Sequence, residues 1–266
     1  MTTLAPPGLP AWRRIVRDGL LLTVRNLRHF VREPHLVVFS TVQPIMFVLL
    51  FSFVFGGAIG QALPPGLDYT SFLLPGIFVQ AVAFRSTQTA VGLANDLDKG
   101  VIDRFKSMPM ARSAVLLGRT AADLIRSVFV VLLMAGVGYL IGFRFVTGPL
   151  QATAAVLLVA VFGFALSWVF AFVALHVRNP EAAQSAAFVA VFPLVFASSA
   201  FVPVETMPGW LATITAVSPV TVTVDAVRAL AIGGPVLSPL LQSLAWIVAV
   251  VAVFMPLSVW RYRRVD

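Results

Sequence analysis

The stretch Phe145–Leu175, FVTGPLQATAAVLLVAVFGFALSWVFAFVAL, runs for 31 residues without a charge. A helix rises about 1.5 Å per residue, so about 20 apolar residues cross a hydrocarbon core of about 30 Å. This stretch reads as a membrane-spanning helix, and the rest of the chain repeats the pattern. Uncharged runs also cover Leu36–Leu67, Tyr69–Phe84, Ser127–Phe143, Ala182–Val204, Thr206–Val224 and Ala229–Trp260. Of the 266 residues, 59% are hydrophobic and 11% charged, against roughly a quarter charged in soluble domains. The composition excludes a soluble globular protein. With no Cys in the chain, disulfides, thiolate metal sites and Cys nucleophiles are excluded as well.

Six of the seven runs give spans near 37–58, 70–93, 122–143, 151–175, 182–203 and 238–260. Thr206–Val224 has the length but not the composition, because Pro208, Gly209, Pro219 and six Thr or Ser fall within its nineteen residues. Charge placement decides its role. With six spans and the N-terminus inside, sixteen of the nineteen Lys and Arg lie inside, against Arg144 and Arg228 outside and Arg85 within a span. That asymmetry is what the positive-inside rule requires, and both termini are expected in the cytoplasm. Residues 204–237 then read as an outer-face insertion of short or re-entrant helices, whose backbone must be shielded by protein or water.

The first thirty-odd residues do not read as a signal peptide, since their longest apolar run, Gly19–Val24, is too short. Trp12, Ile15, Val16, Leu20, Thr23, Leu27 and Val31 recur at helical spacing, with Arg13, Arg14, Arg17, Arg25, Arg28 and Arg32 on another arc. Residues 1–35 are therefore expected to form an amphipathic helix in the headgroup plane, facing anionic lipid or cytoplasm. The predicted fold is an all-α integral membrane protein: an N-terminal amphipathic interfacial helix plus six transmembrane helices. Short outer-face helices lie between spans five and six, and the whole of 1–266 is a single transmembrane domain.

The inner loop 94–121 carries three of the eleven acids, Asp96, Asp98 and Asp103, with Asn95 beside them. A phosphate-cradling loop fails there, because Lys106-Ser107 is preceded by Phe105 where Gly must let the backbone approach. A membrane prenyltransferase needs Asn-Asp-x-x-Asp-x-x-x-Asp and a second acid cluster. Asn95, Asp96 and Asp103 fit that run, but Lys99 stands at its middle position and no second cluster exists. No Gly-x-Ser-x-Gly turn is present, and no aromatic-interleaved basic face supports nucleic-acid binding. No catalytic residue and no metal ligand set emerges.

The loop does carry an amphipathic pattern. Val101, Ile102, Phe105 and Met108 fall on one side, Asp98, Lys99, Asp103, Arg104 and Lys106 on the other, and Pro109 closes the segment. Such a stripe suits docking into a groove on another protein or packing on the chain's own helix ends. Asn179 is placed to cap a helix, with Pro180 at its first position and Glu181 at its positive end. Arg85 lies about ten residues, or 15 Å, from the inner end of span two. Cost at that depth demands a watery cavity, a partner, or snorkelling to the headgroups. Gly136, Gly138, Gly142 and Gly163 offer close helix contacts, to a partner copy among other possibilities.

Three stretches resemble the membrane subunits of type-2 ABC exporters, in the branch of the daunorubicin/doxorubicin-resistance permeases. They are Asp98–Arg112 followed by Gly118, Arg178–Gln184, and Phe201–Leu211 continuing through Ser218-Pro219 to Ala226-Val227-Arg228. The resemblance implies a coupling segment to an ATPase carried by Asp98, Gly100, Val101, Ile102, Arg104, Phe105, Pro109 and Arg112. It implies that Asn179, Pro180 and Glu181 open span five. It further implies a non-enzymatic transport subunit in the cytoplasmic membrane, pairing as a homodimer with two ABC ATPase subunits that bind ATP and Mg²⁺. No cofactor is expected on this chain, and no nucleic acid partner. The cargo implied is a small hydrophobic or amphipathic compound such as a drug or antibiotic, or else a lipid, glycolipid or polyketide. A proton-coupled transporter would need a mid-span Asp, Glu or His, which the six predicted spans lack.

Overall fold

The computed structural model describes residues 11–32, 34–61, 63, 67–100, 112–177 and 179–264. Among these the regular structure is entirely helical. Helix α1 spans Ala11–Arg32. Helix α2, Pro34–Leu50, runs through one wider π-helical turn at Phe51–Phe55 into α3, Gly56–Gly60. Then come α4, Tyr69–Asp98; α5, Arg112–Leu140; and α6, Pro149–Val177. Helices α7, Pro180–Phe196; α8, Gly209–Ala216; α9, Pro219–Ile232; and α10, Leu237–Arg263, complete the chain.

Val42–Gly60, Leu116–Leu140, Pro149–Val177 and Leu237–Tyr262 are long and apolar enough to cross a membrane. Pro180–Phe196 is a shorter apolar helix, and Gly209–Ala216 with Pro219–Ile232 forms a pair bent by 71°. Large apolar side chains such as Phe53, Leu132, Leu150, Val189 and Val248 stand exposed. A soluble monomer does not expose apolar surface on that scale, so the chain is a multi-pass membrane protein.

Helix α4 is the hub, packed against α2, α5, α6, α7 and α9. Asp68 caps it, accepting from the backbone N–H of Thr70 at 3.0 Å and of Ser71 at 3.3 Å, and every residue from Phe72 to Ala83 is buried. Small residues set how near the neighbours come: a Cβ at Gly163 of α6 or Gly138 of α5 would lie 2.1 Å from Val82 or Leu74 of α4. These two glycines thus serve contacts within the chain, and Gly136 alone of the Gly136/Gly138 pair faces open space.

Two expectations are modified by the packing. The predicted span 182–203 stops being helical at Phe196, seven residues early. Pro193 weakens the last turn, and Ser198 donates its hydroxyl back to Val195 O, competing with the ladder. The chain then folds over the Tyr69 end of α4, where Tyr69 OH donates to Phe201 O at 3.1 Å. On α1, the face against α5 is built from Asp18, Gly19, Leu22 and Thr23, while Leu20, Leu21 and Val24 are exposed. A Cβ at Gly118 would lie 2.6 Å from Leu22 Cβ and 2.9 Å from Gly19 O, so Gly118 is the seat on which α1 rests.

Candidate substrate cavity and coupling end

The α4 sequence carries polar residues at helical spacing over its second half: Gln80, Gln88, Asn95 and Lys99 along one line, Arg85 and Asp96 beside it. Helix packing gathers them around a cavity of about 670 Å³ between α1, α2, α4 and α5. From α1 come Arg25 and Asn26; from α2, Gln43, Pro44 and Phe47; from α5, Arg119, Asp123 and Arg126. Phe84, Ala81 and Val91 of α4 supply apolar wall between the polar groups.

A belt of hydrogen bonds holds this lining in place. Asp123 accepts from Thr89 Oγ1 at 2.6 Å and from Arg126 Nη1 at 3.3 Å. Arg126 also donates to the carbonyl of Asn26, and Arg119 pairs with Asp96. The belt therefore ties α4 and α5 to α1. Among the described lining residues five cations, Arg25, Arg85, Lys99, Arg119 and Arg126, face two carboxylates, Asp96 and Asp123. Gln80 is 3% exposed, and its Oε1 has no hydrogen-bond partner.

At the other end of α4 a second arginine is enclosed. Arg228 of α9 lies 3.7 Å over the Phe72 ring and donates to Asp225 Oδ1 at 2.8 Å, Ser199 O at 2.8 Å and Phe72 O at 3.2 Å. Ser199 Oγ donates to the same Asp225 oxygen at 2.8 Å. This clasp fastens α9 and the turn after α7 to α4.

A family model described as ABC-2 type transporter matches residues 19–232. The chain belongs to the ABC-2 transporter permease family. A daunorubicin resistance ABC transporter permease protein of Streptomyces coeruleorubidus is 34% identical over 263 residues, 99% of this chain and 92% of that one. A probable doxorubicin resistance ABC transporter permease protein of Mycobacterium tuberculosis is 30% identical over 266 residues, with 98% and 95% covered. A putative transport permease of Cyanophora paradoxa is 24% identical over 220 residues, covering 80% of this chain and 73% of that protein.

In this ABC-2 permease the segment expected to meet an ATPase begins at the exposed end of α4, with Asp98, Lys99 and then Gly100, whose φ of +63° suits glycine. Val101, Ile102, Arg104, Phe105 and Pro109 lie outside the described residues, and Arg112 opens α5. Asn179 Oδ1 accepts from the backbone N–H of Glu181 at 2.9 Å and Ala182 at 3.3 Å, with Pro180 as the first residue of α7. Arg85 lines the cavity. Gln80, Asp123 and Arg126 were not singled out from sequence; the signal was there in the i, i+4, i+7 spacing of Arg119, Asp123 and Arg126 on α5.

Proposed function

We propose that this chain is the membrane subunit of an ATP-driven exporter that moves a hydrophobic or amphipathic compound, such as a drug or antibiotic, out across the cytoplasmic membrane. The observation that carries the reading is the family match over 19–232, joined to permease relatives covered almost end to end. Six spans with both termini cytoplasmic agree with the sixteen-to-two distribution of basic residues. The exposed Leu20, Leu21 and Val24 of α1 fit a helix seated at the bilayer surface. A separate ABC ATPase supplies ATP and Mg²⁺ binding and docks on the segment from Asp98 to Arg112, with Phe105 as the side chain that fills a pocket. Two copies pair to make the shared path, and the exposed Phe188, Val189 and Phe192 of α7 offer one face for it. Export of a lipid, glycolipid or polyketide is the second reading, favoured by the mixed charged and apolar lining of the cavity.

The test is co-expression with ABC ATPase subunits of the same genome, followed by co-purification and ATP hydrolysis in proteoliposomes. Phe105→Ala is expected to weaken ATPase capture roughly thirtyfold, the cost of losing an interface anchor worth about 2 kcal/mol. Asp103→Asn, on the polar side, is expected to change it little. Undiminished capture by Phe105→Ala would move the docking site elsewhere.

A further inference from the structure

Gln80 of α4 is an uncharged polar side chain enclosed where its neighbours along the helix are apolar. It is 3% exposed, it lines the cavity, and among the described residues its Oε1 accepts no hydrogen bond. Ile77, Phe78, Val79, Ala81, Val82 and Ala83 on either side of it are all buried. An amide oxygen so placed is costly unless a hydroxyl or N–H donor reaches it, and buried polar groups are paired as a rule. Phe84 stands one helical turn further on, about 6 Å along the same face of α4, and Phe47 of α2 borders the same space. Both rings pack against Phe196 of α7, with centroids 6.5 and 6.4 Å from it, so α2, α4 and α7 hold them as one preformed wall. About 670 Å³ beside that wall falls in the range of small-molecule sites. The cavity therefore offers an aromatic surface and, one turn away, an unused acceptor.

We propose that Gln80 is the specificity-determining residue of this cavity: its Oε1 accepts a hydrogen bond from an uncharged hydroxyl or N–H on a ligand whose ring body lies against Phe84 and Phe47. A site built round a buried acceptor rejects the analogue that lacks the donor, because binding that analogue leaves the acceptor unpaired. The aromatic wall by itself takes either molecule, so the amide carries the discrimination. The inference deepens the exporter reading by naming the group that the cavity recognises, and it rests on that reading only for the direction in which the ligand moves.

The probes are 1-hydroxypyrene, which carries a hydroxyl donor, and 1-methoxypyrene, which keeps the ring system and carries no donor. Equilibrium dialysis of the purified full chain in detergent, without an ATPase and against protein-free micelles, gives both affinities. The hydroxyl probe is expected to bind at least roughly tenfold more tightly than the ether. Gln80→Met, close to glutamine in shape and without the oxygen, is expected to abolish the preference by weakening the hydroxyl probe alone. Gln80→Glu, which keeps an acceptor, is expected to preserve it. Gln80→Asn, one methylene short, is expected to lose most of it, and answers the question even if Gln80→Met fails to fold. Melting separates recognition from a structural role: without probe, Gln80→Met is expected to melt no lower than the unaltered protein, since the oxygen it removes accepts no bond among the described residues. Gln151→Met, at an exposed position in the first turn of α6, is the control with both affinities unchanged. Equal affinity for the two probes in the unaltered protein, the result when water alone satisfies the amide, overturns the proposal, and so does an intact preference in Gln80→Met. Either result leaves the exporter reading standing. Discrimination that persists while ATP drives no movement of the hydroxyl probe, in proteoliposomes holding the ATPase, spares the proposal and counts against that reading.

Discussion

Two half-buried arginines stand along α4, Arg228 of α9 at its Tyr69 end and Arg85 near its middle, and they are held in opposite ways. At the Tyr69 end the guanidinium of Arg228 gives all three of its nitrogens to protein oxygens and rests on the Phe72 ring. Near the middle of α4 Arg85 borders a cavity in which the amide oxygen of Gln80 accepts no hydrogen bond. A closed charge cluster in a low-dielectric setting works as a joint, because removing one partner strands the others. A cavity that holds an unsatisfied buried amide works as a site, because a ligand can complete its hydrogen bonding.

The largest effect is expected at the joint. Arg228→Met should destabilise the fold by about 3 kcal/mol, since Asp225 is left without its cation, whereas Arg85→Gln, at the border of an open cavity, should cost less, about 1 kcal/mol. Thermal melting in detergent checks both. Next comes the α1 seat: Gly118→Ala should cost about 2 kcal/mol by pressing a methyl against Leu22 and the Gly19 carbonyl. Its check is faster proteolysis within α1 beside an otherwise native pattern. Thr89→Val should cost about 1.5 kcal/mol by withdrawing the hydroxyl from Asp123. It should also loosen Arg126, read as faster hydrogen exchange on the facing turns of α4 and α5. The smallest change is Asn179→Ala, about 1 kcal/mol from the exposed cap of α7, read as a small drop in melting temperature with ligand binding unaltered.

Much of the helical framework is legible in the sequence because its causes are local. An uncharged run long enough for the bilayer has no cheaper conformation there than a helix, and α6 and α10 fill the stretches expected of them. Pro149, Pro180 and Pro219 each stand at a helix start, where a missing N–H costs nothing. Family membership was legible for a different reason: the motifs around Asp98–Arg112 and Phe201–Arg228 are specific in type and spacing. The cavity was not legible. Arg85 attracted notice alone because it interrupts an apolar run, but Gln80, Asp123 and Arg126 meet it only once α4 and α5 are packed. The glycines leave a similar question open in the sequence. Gly138 and Gly163 offer close contacts without naming the neighbour, and the chain's own α4 occupies them. The apolar stripe on α1 likewise gave no hint that its contact with α5 runs through Gly19 and Thr23, whose hydroxyl reaches Gly118 O at 3.2 Å.

The contrast between clasp and cavity is tested most directly by reading melting and ATP-driven export of a hydrophobic test compound on the same samples of Arg228→Gln and Arg85→Gln, the permease being reconstituted with its ATPase. The account predicts that Arg228→Gln melts well below the unaltered protein while its folded fraction keeps export. It predicts that Arg85→Gln, in the cavity lining, melts closer to the unaltered protein and loses export. If stability falls with Arg85 and export with Arg228, or if both properties fail together in both variants, the two arginines do not divide the work and the account is contradicted.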